Sequence, residues 1–209
     1  MTGWTTLTGI AAPFLRDDVN TDVVIPSREM KRVSKQGLAD GLFANVRYRE
    51  GRDPDPAFVL NRPPRDRATV LLAGRNFGCG SSREHAVWAL RDYGFRAVVA
   101  QGFGGIFFDN CLANGVAPVA LDADAVTAIA AWCDSDPVGN EVTVDLDAME
   151  VRADSTHPFD LPAQGRRMIR EGLSPIDLTL EDADAIAAWV EADRAARPWL
   201  HGGHPRARP

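Results

Sequence analysis

Cysteine is scarce in this chain. Cys79, Cys111 and Cys133 are the three in 209 residues, widely spaced and with no Cys-x-x-Cys pair. An odd, scattered set argues against a disulfide framework or a metal knuckle and suits reduced thiols. A bilayer-length apolar run is missing too, and Met1 to Trp4 leads into no charged stretch followed by an apolar core, so neither a membrane span nor a secretory leader is expected. Nor is there a basic stripe: 23 Lys and Arg face 29 Asp and Glu, for a net charge of -6. Phosphate backbones need clustered cations, so nucleic acid is excluded as the expected partner. Together these absences point to a soluble, cytoplasmic protein without internal repeats.

What is present supports one substantial core, since 45% of residues are hydrophobic. Strands are expected near Leu7 to Ile10 and at Val23 to Ile25, the second stopped by Pro26. Residues 27–67, with glycines at 37, 41 and 51 and prolines at 54, 56, 63 and 64, read as a long loop-rich connection with room for a short helix at Leu38 to Ala44. From Thr69 the pattern becomes strand (to Ala73), helix (Ser82 to Asp92), strand (Phe95 to Ala100), helix (Gly105 to Ala113), strand (Ala117 to Leu121) and helix (Ala123 to Cys133). Such alternation defines an α/β protein with parallel strands. Val142 to Leu146 and Met149 to Ala153 form a hairpin pattern, and helices are expected at Ala163 to Glu171 and Leu180 to Arg194. A single domain over 1–198 and a mobile tail over 199–209 follow from this pattern.

The segment with chemistry in it is Gly78-Cys79-Gly80-Ser81-Ser82-Arg83-Glu84-His85, between an apolar strand and a helical pattern. Small residues admit a ligand close to the backbone, a helix N-terminus favours an anion, and Arg83 offers a planar fork for a carboxylate. Ser81 and Glu84 also stand at capping-box spacing, so on pattern alone the serine serves equally well as a helix cap. A dinucleotide site lacks its third glycine here, and a P-loop lacks its lysine. Cys79 reads as a small packer rather than a nucleophile or metal ligand, and His85 as a structural hydrogen-bonder.

Asn76-Phe77-Gly78-Cys79-Gly80-Ser81-Ser82-Arg83-Glu84-His85-Ala86, with Asp18-Val19-Asn20-Thr21-Asp22-Val23-Val24-Ile25-Pro26 upstream, closely resembles the small subunits of the bacterial 3-isopropylmalate dehydratases, within the aconitase superfamily. The likeness runs from about Gly9 to about Ala188 and includes Asp92-Tyr93-Gly94-Phe95, Ile106-Phe107-Phe108-Asp109-Asn110 and Leu178-Thr179-Leu180. It implies a swivelling β/β/α domain of three layers with mixed sheets. It implies a hydro-lyase of leucine biosynthesis, active only with a large subunit whose three cysteines carry a [4Fe-4S] cluster, and no metal on this chain.

Carried over residue by residue, the resemblance makes Ser81 the catalytic base and gives Asp22 a catalytic role, pairing with a histidine of the cluster-bearing subunit. Ser82 and Arg83 hold substrate carboxylate, Gly78 and Gly80 permit close approach, Thr21 supports the site, and Asn110 stands near it. Residues 27–67 become the substrate-recognition insertion. There the chain departs from its relatives: Ser27-Arg28-Glu29-Met30 puts Glu29 where an aromatic is usual, and Gly102 and Gly104 replace a serine and an alanine around Phe103. Glu29 is expected to turn to solvent while Met30 or Val33 meets the substrate's alkyl group. The alternatives are a paralogue acting on citraconate, citramalate, homoaconitate or another substituted malate, and a non-catalytic anion-binding scaffold.

Overall fold

The computed structural model describes residues 2–30 and 34–201. The chain falls into two compact units, Met1–Leu173 and Ser174–Pro209.

The first unit holds two sheets and the helices that flank them. Strand β1 (Thr6–Gly9) pairs antiparallel with β6 (Val142–Asp145), which continues through β7 (Glu150–Arg152) to β8 (Thr156–Pro158). Strands β2 (Ala11–Phe14), β3 (Val70–Ala73), β4 (Ala97–Ala100) and β5 (Ala117–Ala120) form a second sheet in that spatial order, parallel throughout. The chain passes from one sheet to the other at Ile10, whose carbonyl accepts from Thr69 and Val70. The mixture of strand directions thus lies between the sheets, one being antiparallel throughout and the other parallel throughout.

Every residue of β3 and β4 is buried, as a parallel sheet covered on both faces requires. Alternation assigns the faces. Leu71 and Ala73, with Val98 and Ala100, join the cluster that includes Ala86, Val87, Ala89 and Leu90 of α3 (Glu84–Tyr93). Their neighbours Val70, Leu72 and Val99 point the other way, where α5 (Ala123–Ser135) packs on β2 and β3 with Val126 and Ile129 buried. Helix α4 (Gly105–Ala113) lies beside α3, and α6 (Ala163–Glu171) packs on α4 before ending at Gly172 in the left-handed region.

Three local expectations are corrected. Val23 to Ile25 is not a strand: Thr21–Val24 is a single helical turn, α1, because the Asn20 side chain accepts from Val23 N at 2.9 Å and caps it. Strand β2 includes Pro13 and escaped the sequence pattern. Its edge position in the sheet is where a residue without an N–H is tolerated. The expected helix at Leu38 to Ala44 is a 3-10 turn (Ala39–Gly41) followed by Phe43 at φ 54 and a short helix α2 (Ala44–Arg47). The segment is anchored from Phe43 onward, with Phe43 and Phe58 against Phe14 at 4.9 and 5.6 Å. Asn61 Nδ2 donates to the carbonyls of Arg47 and Asp55.

The second unit contains α7 (Pro175–Leu180), opened by a capping box of Ser174 and Asp177, then α8 (Ala183–Ala196) and α9 (Pro198–His201). Ile186 and Trp189 of α8 are exposed. Residues 199–201, placed in the tail by the sequence, are helical, and the rest of that tail lies outside the described residues.

Candidate active site

Two loops far apart in sequence run side by side after β2 and β3. Gly78 N donates to Val19 O (2.7 Å), Thr21 N to Cys79 O (3.1 Å) and Asp18 N to Arg75 O (2.9 Å), and Asn20 and Cys79 form a parallel bridge. A third loop, between β4 and α4, joins them through Phe77 N to Gly102 O and Gly104 N to Phe77 O, both 2.9 Å. Gly78 has φ +73, and a Cβ there would stand 2.1 Å from the Phe107 ring, so glycine alone lets the loop close onto α4.

The loops enclose a pocket of about 270 Å³ lined by Thr21, Gly78, Gly80, Ser81, Arg83 and the start of α4 from Gly104 to Phe107. Thr21 is 2% exposed, and its hydroxyl donates to Ser81 O at 2.9 Å, which fixes the serine's backbone. The capping-box reading of Ser81 is excluded. Helix α3 begins at Glu84 with Arg83 at the cap position and no side-chain cap, and Glu84 Oε1 instead accepts from Asn114 Nδ2 at 2.8 Å. Ser81 is exposed at the pocket, in the turn before the helix rather than inside its first turn.

Arg83 makes an ion pair from Nη1 to Asp22 Oδ1, and the same nitrogen lies 3.3 Å from Ser27 Oγ. The Arg83 side chain is 23% exposed and that of Asp22 51%, so the pair is partly open to solvent. The carboxylate expected to face a partner histidine therefore holds the arginine expected to bind substrate.

Sequence reasoning placed a helix at Gly105 to Ala113 but did not bring its N-terminus to this pocket. Phe108 N donates to Gly104 O, so the amides of Gly105, Ile106 and Phe107 precede the first intrahelical bond of α4 and stand unpaired along the wall. Its signal was legible: Gly102-Phe103-Gly104-Gly105 repeats after β4 the strand, glycine loop, helix order of the first motif. Asn76 also lines the pocket, with Nδ2 on Asp18 Oδ1 at 2.8 Å.

Other expected site residues lie elsewhere. Ser82 is exposed and Met30 packs, partly buried, against the core; neither lines the pocket. Val33 lies outside the described residues. His85 packs against Trp88 in a tilted arrangement, with ring centroids 4.5 Å apart and planes at 49°. Glu29 does not turn to solvent. Arg52 takes its carboxylate with both nitrogens (2.8 and 3.2 Å), Arg28 approaches at 3.3 Å, and the side chain is 14% exposed. The Arg52 hydrogen bonds hold its pKa below the usual glutamate value, against the upward pull of burial.

Two sheets with flanking helices, and a serine on a glycine loop before a helix, go with a match of residues 1–124 to the family model of the aconitase C-terminal domain, so the class is an aconitase-type domain. Residues 176–203 match the model of the C-terminal domain of the 3-isopropylmalate dehydratase small subunit. A 3-isopropylmalate dehydratase small subunit of Cupriavidus necator is 55% identical over 197 residues, covering 92% of this chain and 95% of its own. Its counterpart in Xanthobacter autotrophicus is 42% identical, covering 96% and 100%. The crystal structure of a 3-isopropylmalate dehydratase from Methanocaldococcus jannaschii superposes with a TM-score of 0.61 at 27% identity, over 88% of this chain and 98% of that one. The chain belongs to the family of 3-isopropylmalate dehydratase small subunits.

Proposed function

We propose that this chain is the small subunit of a cytoplasmic hydro-lyase that interconverts 2-isopropylmalate and 3-isopropylmalate by dehydration and rehydration in leucine biosynthesis. The observation carrying this reading is the convergence on one pocket of the Ser81 hydroxyl, the Arg83 guanidinium and the unpaired amides opening α4. Positive groups gathered around a hydroxyl suit a dicarboxylate and lower the cost of a serine anion.

In this reading Arg83 and the α4 amides hold substrate carboxylate. Ser81 Oγ takes the proton from the carbon beside a carboxylate and returns one on rehydration. Thr21 keeps Ser81 in place through its backbone carbonyl. Asp22 orients Arg83 through Oδ1 and leaves Oδ2 for a donor from the large subunit. Gly78 and Gly80 bring the backbone close to the ligand, and Ser82 and Met30 reach substrate only with a shift of their loops.

The departing hydroxyl calls for a Lewis acid, by resemblance a [4Fe-4S] cluster, and the cysteines here do not fit that group. Cys111 and Cys133 are buried in different helices, with thiols pushed up by desolvation, Cys133 to about 11. Among the described residues no three His, Cys, Asp or Glu side chains gather as a metal set. In this reading the large subunit carries the cluster, as the resemblance implies, and this chain's part is the proton and the carboxylates. No helix among the described residues is long and apolar enough to cross a membrane.

An alkyl-bearing malate is supported by Glu29, whose charge is matched by Arg52 and which does not line the pocket. The test is anaerobic reconstitution with a cluster-loaded large subunit and assay on 2-isopropylmalate and citramalate. Turnover of isopropylmalate is expected. Turnover of citramalate alone would promote the paralogue reading, and assembly without turnover of either would promote the scaffold.

A further inference from the structure

A second pocket, of about 340 Å³, lies at the far end of α3 from Ser81, and the proposed reaction has no use for it. Three cations line it: Lys35, Arg91 in the last turn of α3, and Arg96 just beyond the helix. The one carboxylate in the wall, Asp92, is already engaged, its Oδ2 accepting from Leu38 N at 2.7 Å and Ala39 N at 2.9 Å.

The floor is rigid. Asn114 is 1% exposed and uses both ends of its amide. Its Oδ1 accepts from Lys35 Nζ (3.2 Å) and Trp88 Nε1 (3.1 Å), and its Nδ2 donates to Glu84 Oε1 (2.8 Å) and Asn110 O (2.9 Å). Lys35 is further fixed over the Trp88 ring at 5.1 Å and lies 3.9 Å from Glu84. Arg96 Nη1 donates to the carbonyls of Arg91 and Phe95, which hold the guanidinium at the helix end without matching its charge. Arg91 has no partner among the described residues, although it is partly buried. Its pKa is lowered by that burial and then by Arg96, the direction expected of neighbouring cations with no anion between them.

We propose that this pocket binds a small, multiply charged anion, a phosphate or dicarboxylate group, with Arg91 as the main ligand and Lys35 and Arg96 flanking it. A planar fork with free donors, positioned cations and a pre-formed concave wall are the features that recognise such a group. The ligand would join residues after the 31–33 stretch to the helix that begins beside Arg83. The site is separate from the Ser81 pocket and does not depend on the function proposed for it.

Inorganic phosphate and succinate, titrated separately into the isotopically labelled full chain, distinguish the two sources of such a group. The Trp88 indole N–H resonance reports on the pocket. At least one anion should produce a saturable shift, and which one does so identifies the ligand class. Arg91→Met, which keeps the apolar stem, should weaken binding by about tenfold or more, with Arg91→Lys between the two. Arg83→Gln, which disables the other anion-favouring pocket, should titrate like the parent chain. No saturation by either anion at concentrations on the order of tens of millimolar overturns the proposal. So does an Arg91→Met variant that binds normally, or an Arg83→Gln variant that loses the response.

Discussion

Asp22 and Arg83, 61 positions apart, are joined by an ion pair from Oδ1 to Nη1, and that pair locks the helical turn α1 to the glycine loop before α3. In the proposed reading Arg83 would meet substrate already oriented by a carboxylate, with its remaining nitrogens available. Removing the fork should cost more than moving the charge. Arg83→Lys in the reconstituted enzyme should raise KM by about tenfold to a hundredfold, because an ammonium cannot grip a carboxylate in two places while still holding Asp22. Asp22→Asn should lower kcat/KM with a smaller effect on assembly, read by steady-state kinetics beside size-exclusion chromatography. An Asp22→Asn enzyme with unchanged kinetics would show that the pair is structural.

Ser81→Ala isolates the hydroxyl. The side chain caps no helix, so the variant should unfold within about 1 kcal/mol of the parent in urea while turnover is lost. Thr21→Val should instead affect stability and rate together. It removes a buried donor from Ser81 O at a cost of about 1–2 kcal/mol, and it lowers kcat because the serine's backbone is no longer fixed. A Ser81→Ala enzyme with near-normal rate would remove the serine from the chemistry.

The two glycines flanking Cys79 should respond unequally to alanine. Both have positive φ, 73 and 88, so each substitution carries a backbone cost of about 1–2 kcal/mol. At Gly78 the new methyl also meets the Phe107 ring at 2.1 Å, adding about 1–3 kcal/mol, whereas at Gly80 the nearest atom is 3.4 Å away. Gly78→Ala should therefore show the lower melting temperature, by calorimetry, and equal losses would place the strain in the backbone alone.

Continuous apolar runs made β3, β4 and α4 legible, because strands buried on both faces need no alternation and glycines mark both helix ends. Thr21–Val24 was not legible. Val23-Val24-Ile25 has strand propensity, and one asparagine side chain hydrogen bond outweighs it. The meeting of Asp22 with Arg83 depends on backbone bonds between two loops, which no spacing rule encodes; the family resemblance put both residues at the site but not their pairing. The reading of residues 27–67 failed for a further reason. Glu29 reads as solvent-facing because the flanking Lys31-Arg32-Val33 matches the family, and its partner Arg52 lies 23 residues on, beyond local pattern.

The Glu29–Arg52 clamp yields a prediction in which the sign of the pH dependence decides the cause. Arg52 holds the folded-state pKa of Glu29 below the ordinary 4.5, so the pair stabilises the fold above that value, and the contribution is lost as pH falls through the lowered pKa. Arg52 is 48% exposed, which screens the pair and limits its worth to about 1 kcal/mol. The melting-temperature gap between the parent and Glu29→Gln should be constant from about pH 6 to 8 and close as the pH falls from 4.5 through the lowered pKa. Amide exchange at Gly41 and Leu42 should quicken in the variant, since Gly41 rests on the Glu29 side chain and Arg52 also holds Asp40 O. A gap that persists at low pH would mean that Glu29 acts by packing and not by charge. Glu29→Phe, which restores the aromatic usual in the family, should likewise lose stability without gaining turnover on isopropylmalate. A large gain for isopropylmalate alone would instead place the residue at the substrate and favour a different malate for the parent enzyme.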